Sequence, residues 1–143
     1  MEHNTKVLVL TGPPNTGKTT TLKKVREHLL QNEGYICLSH KEFGGRDNHA
    51  DFFDLLQNKA GKLVCIMSEG DYQYDLRGGG WFVKKDVCDV YVCACTDYFT
   101  KDLSFLARLS KTFKKRMSED AVKQEEMNKN DVMDIVKFMK EEL

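Results

Sequence analysis

At 143 residues the chain has the length of one ordinary domain, enough to bury a core without disulfides or metal staples. Its 22 basic and 22 acidic side chains cancel, so no global field draws it onto nucleic acid or an anionic membrane, and neither is expected as a partner. No apolar run approaches the roughly 20 residues of a membrane span, and Met1-Glu2-His3-Asn4-Thr5 lacks the basic and then apolar pattern of a signal peptide, so a cytoplasmic protein is expected. The five cysteines include no C-x-x-C pair. Cys37, Cys65, Cys93 and Cys95 sit inside apolar runs and read as buried free thiols of a reducing compartment.

In chain order, Lys6 to Leu10 predicts a first strand. Residues 18 to 32 follow with a helical stripe of Leu22, Val25, Leu29 and Leu30, and Gly34 is placed to stop it. Tyr35 to Ser39 predicts a second strand, followed by a polar stretch from His40 to Asp51 that contains Gly44-Gly45-Arg46-Asp47. A weaker helical pattern spans 49 to 58 through Phe52, Phe53, Leu55 and Leu56; Lys62 to Met67 and Val87 to Cys95 then predict two more strands. These strands are apolar almost continuously, the mark of strands covered on both faces in a parallel sheet.

After Asp102 the chain reads as helical and charged, with Leu103, Leu106, Ala107 and Leu109 ahead of a basic run from Lys111 to Arg116. Helical spacing would put Arg108, Lys111 and Lys115 on one face. Met127 to Asn130 predicts a break, and a last helix capped at Asn130 or Asp131 would carry Val132, Ile135, Val136, Met139 and Leu143 on one side. The expectation is a single α/β domain over residues 1 to 143, with a mostly parallel central sheet of four or five strands, the first strand central and helices on both faces.

Between the first strand and the first helix stands Gly12-Pro13-Pro14-Asn15-Thr16-Gly17-Lys18-Thr19, which satisfies G-x-x-x-x-G-K-[ST] in the strand-to-helix context that gives that pattern its meaning. Glycines let backbone N–H groups turn inward around phosphate oxygens, and the start of a helix adds partial positive charge. The ammonium of Lys18 is expected to bridge β and γ phosphates, the hydroxyl of Thr19 to bind Mg²⁺, and Thr20 to reach the α phosphate. Pro13 and Pro14 remove two N–H groups, which leaves Asn15 through Thr19 as the main backbone donors.

Residues 6 to 22 resemble the first βα unit of the P-loop NTPase superfamily, and the alternation of strands and helices to residue 95 extends the likeness. The resemblance implies a three-layer P-loop fold and binding of a nucleoside triphosphate with Mg²⁺. It also implies an acidic residue at the end of a second apolar strand. After Leu63-Val64-Cys65-Ile66-Met67 this chain has Ser68 where that Asp would fall, then Glu69 where a water-activating Glu would be, with Asp71 displaced by two or three positions. Either carboxylate is a candidate for the magnesium shell or for placing the nucleophile.

Guanine selection would need [NT]-K-x-D after a late strand, and Thr96 to Asp102 lacks that spacing, so ATP is expected. A kinase needs an acceptor site and a cover, for which the His40 to Asp51 stretch and Asp75-Leu76-Arg77-Gly78-Gly79-Gly80-Trp81 are candidates. His40, His49 and Asp51 are conceivable metal ligands, although scattered histidines in a polar stretch more often mark only a loop. Hydrolysis of a nucleoside triphosphate is the leading expectation, with phosphoryl transfer to a small molecule or nucleotide and a nucleotide-dependent switch with negligible turnover as the alternatives.

Overall fold

The computed structural model describes residues 6–12, 17–43, 51–68, 88–95 and 109–143. Among these residues, six strands and two helices run in the order β1 (Lys6–Thr11), α1 (Lys18–Asn32), β2 (Ile36–Phe43), β3 (Asp51–Gln57), β4 (Leu63–Met67), β5 (Val90–Cys95), β6 (Leu109–Lys114) and α2 (Ala121–Glu142). The strands form one sheet in the spatial order β2-β3-β4-β5-β1-β6. Pairs β4·β5, β5·β1 and β1·β6 are parallel, whereas β3 is antiparallel to both β2 and β4.

This corrects the expected architecture. The sheet is mixed, with six strands among the described residues, in place of a mostly parallel sheet of four or five. The change comes from Asp51–Gln57, expected within a helix: Phe52, Asp54 and Leu56 face one side of the sheet at strand spacing, and Phe53 faces the other. Pairing with β2 and β4 settles a pattern that also fits a helix. Nor are the described helices distributed over both faces. Leu22, Val25 and Leu29 of α1 and Ile135, Val136 and Met139 of α2 pack in one cluster with Leu8 and Leu10 of β1. The opposite face carries Val7, Val9, Cys65, Tyr91 and Cys93, all buried, and no described helix packs on it. Each large aliphatic side chain so buried contributes about 1.5–3 kcal/mol.

The second half departs from the sequence reading again. Lys111 to Lys114 of the basic run lie in strand β6 and Lys115 follows it, so Lys111 and Lys115 do not share a helical face; Arg108 lies outside the described residues. The expected break at Met127 to Asn130 is continuous helix, and α2 starts at the Asp120 cap, whose carboxylate accepts from Val122 and Lys123 N–H at 2.9 and 3.2 Å. By contrast α1 keeps its expected bounds: Gly34, at φ +73°, lets the Tyr35 N–H return to the Leu29 carbonyl at 3.1 Å. Among the described residues no helix is long and apolar enough to cross a membrane.

Candidate functional site

The parallel strands β4, β5, β1 and β6 present their carboxyl ends along one rim of the sheet. Thr11, the last residue of β1, pairs with Cys95 on one side and Lys114 on the other. The buried Gly12 follows, and the chain re-enters the described region at Gly17. Gly17 has φ +88°, in the left-handed region that glycine adopts without a β-carbon penalty, and caps α1 through its carbonyl, which accepts from Thr21 N–H at 2.8 Å. No side chain caps this helix start and its first turn holds no acidic residue, so its partial positive charge is unopposed from within the helix.

Of the candidate nucleotide-binding residues, Gly12, Gly17, Lys18, Thr19 and Thr20 are gathered at this seam. Lys18 is half-buried, and its Nζ donates to the Gly12 carbonyl oxygen, so the side chain spans from the end of the loop back to its beginning. Thr19 and Thr20 occupy the first turn of α1. Pro13, Pro14, Asn15 and Thr16 lie outside the described residues, as do Glu69 and Asp71 and the glycine-rich stretch with Arg77. Ser68, standing where the metal-binding Asp was sought, is buried and continues the β3–β4 ladder. Its hydroxyl accepts from Phe52 N–H at 2.8 Å, and its own N–H donates to the Phe52 carbonyl at 3.0 Å.

A charged cluster that sequence reasoning missed adjoins the seam. Lys115, directly after β6, is buried; its Nζ donates to Asp131 Oδ2 of α2 and to the Arg116 carbonyl, both at 2.8 Å. Asp131 is also buried and accepts from Arg116 N–H at 3.1 Å and Arg116 Nη1 at 2.9 Å. Arg116 continues to Asp134 Oδ2 at 2.8 Å, and that hydrogen bond is the main reason its guanidinium is held above its ordinary pKa. The sequence signal was an Asp within the apolar stripe Val132, Ile135, Val136. Placing the helix start at Asn130 or Asp131 turned that signal into a cap.

A second buried carboxylate lies deeper in the sheet. Asp54 of β3, fully buried, meets both Arg26 Nε of α1 and His40 Nδ1 of β2. His40 is thereby a structural partner, stacked on Phe52, with its Nε2 3.4 Å from Glu42 Oε1. Among the described residues no group of three or more His, Cys, Asp or Glu side chains is arranged to hold a metal ion. His49 lies outside the described residues. The expectation of buried thiols holds for Cys65 and Cys93 and fails for Cys37, which is exposed on the edge strand β2; Cys88 is buried as well, and the side chain of Cys95 lies outside the described ones.

Compared with protein-family models, curated proteins and solved structures, the chain has no match in any of the three.

Proposed function

We propose that the chain binds a nucleoside triphosphate, ATP in the first place, in loop 12–17 and transfers its terminal phosphoryl group, with water as the acceptor. The observation that carries this reading is the seam itself. A parallel strand ends at a buried glycine, a second glycine sits in the left-handed conformation, and a lysine opens the helix and reaches back across the loop. In an open sheet, the crevice beyond the carboxyl ends of parallel strands is where ligands bind. A helix start with no acidic residue in its first turn favours an anion.

In this role the Lys18 ammonium exchanges the Gly12 carbonyl for phosphate oxygens and, with the loop amides, stabilises charge on the transferring group. Mg²⁺ retains several waters and needs only one or two protein oxygens, so the Thr19 hydroxyl in the first helical turn suits it, with Asp71 as the candidate carboxylate. Bound there, the ion would supply neutralisation of charge between the β and γ phosphates. Glu69 or Asp71 would orient the attacking water. The buried thiols of Cys65, Cys88 and Cys93 fit a reducing compartment, and we place the protein in the cytoplasm.

Phosphate release from ATP with Mg²⁺, measured with and without nucleosides and nucleoside monophosphates, tests the proposal. Release without an acceptor, abolished in Lys18→Ala, is expected. ADP formation only with an acceptor would make the protein a kinase, and tight binding without turnover would make it a switch. Full activity in Lys18→Ala would remove the loop from the reaction.

A further inference from the structure

The two ends of loop 12–17 are held by the same unit, β6 with α2. Before the loop, Lys115 N–H donates to the Thr11 carbonyl at 2.7 Å, and the Thr11 hydroxyl donates to the Phe113 carbonyl at 3.3 Å. After the loop, a β-carbon on Gly17 would lie 3.4 Å from Asn128 Oδ1, 3.6 Å from Asn128 Nδ2 and 3.7 Å from Lys115 Cε. Those are ordinary contact distances, so α2 and the residue after β6 lie directly against the helix start.

Asn128 is only 8% exposed. Its orientation is fixed because Gln124 Nε2 donates to Asn128 Oδ1 at 2.9 Å and to the Arg116 carbonyl at 3.0 Å, while Gln124 Oε1 accepts from Ser118 N–H at 2.6 Å. With Oδ1 so engaged, the Asn128 amide NH₂ has no hydrogen-bond partner among the described residues. An anion in the loop would give that donor a partner. The ammonium of Lys115, one bond beyond Cε, adds a buried positive charge held in place by Asp131.

We infer that β6 and α2 form a brace for the phosphate loop, with Asn128 and Lys115 as its positioning residues, so that triphosphate in the loop and docking of α2 strengthen each other. The identity of the ligand rests on the nucleotide reading above; the brace itself does not. Coupling of this kind is reciprocal: whatever α2 adds to ligand affinity, the ligand returns to the docking of α2.

Hydrogen exchange by mass spectrometry on the full chain, with and without Mg-ATP, combined with calorimetric binding, tests the brace. In the wild type, Mg-ATP is expected to slow exchange over 17–22 and over 115–128 together. In Asn128→Ala, exchange over 17–22 should be faster in the free protein, and Kd for Mg-ATP should rise roughly tenfold, with kcat at saturation nearly unchanged. Asn128→Asp keeps the shape and the Gln124 bond, and should lose more affinity through repulsion of the phosphates. Wild-type affinity together with wild-type exchange over 17–22 in Asn128→Ala would overturn the brace. Should Mg-ATP alter nothing in the wild type, the nucleotide reading falls. The free-protein comparison then still decides the brace: faster exchange over 17–22 in Asn128→Ala supports it, and unchanged exchange overturns it.

Discussion

Removing the charge of Asp131 isolates the cost of the buried pair that ties β6 to α2. Asp131→Asn keeps the shape but leaves the Lys115 ammonium, whose side chain is fully buried, without its counter-charge. Breaking a buried pair from one side costs about 3–5 kcal/mol, because the remaining charge stays desolvated. The half-exposed Arg116 contact adds at most about 1 kcal/mol more. Against a typical stability of about 5–15 kcal/mol this is a large fraction. Urea unfolding followed by far-UV circular dichroism at pH 7 should show the midpoint falling by roughly 2 M at unchanged slope. The double variant Lys115→Met/Asp131→Leu, which removes both charges and refills the space, should recover most of the loss. A loss below about 1 kcal/mol in Asp131→Asn would mean that the Lys115 charge reaches water in the folded protein, and it would refute the reasoning.

Gly17→Ala forces an L-residue into φ +88° at a cost of about 1–2 kcal/mol, and should lower Tm and weaken Mg-ATP binding together; an unchanged Tm would contradict the left-handed cap. Glu33, which accepts from Lys140 Nζ at 2.8 Å and lies 3.2 Å from His28 Nε2, is held below the ordinary carboxylate pKa chiefly by Lys140. Its contribution is therefore present above the unfolded pKa and lost as pH falls through the lower folded value. The Tm advantage of the wild type over Glu33→Gln should shrink between about pH 6 and about pH 3, and a constant advantage would exclude the pair as a source of stability. In native buffer a thiol reagent should modify Cys37, as a Cys37→Ser control would show. Cys65, Cys88 and Cys93 should react only on unfolding, because burial shields all three, while the bond from Cys88 and then burial push the Cys65 thiol upward. Rapid modification of Cys65 would contradict the packing of that face.

Where one local pattern sufficed, the sequence was readable. The continuous apolar runs of β1, β4 and β5 and the stripe and glycine stop of α1 each allow one secondary structure, and the glycines and Lys18 of the loop fall at the junction they require. Asp51 to Gln57 was not readable in this way. Its apolar residues at 52, 53, 55 and 56 fit one side of a helix as well as two faces of a strand. The buried Asp54 makes sense only once Arg26 and His40 are beside it. Likewise Leu109 to Lys114 alternates weakly enough to pass for a charged helix until β1 pairs with it.

The sequence by itself determined where β1 ends and α1 begins around Gly12, Gly17 and Lys18, because an apolar strand run, glycine permissiveness and a helical stripe are local properties of a short segment. The tertiary structure alone decided that β3 reverses the sheet and that both described helices share one face. It also decided that Lys115, held by Asp131, and Asn128 meet Gly17 from distant positions in the chain. A buried charge or amide is stable only opposite its partner, and that partner is chosen by the packing of distant elements, which no local pattern encodes.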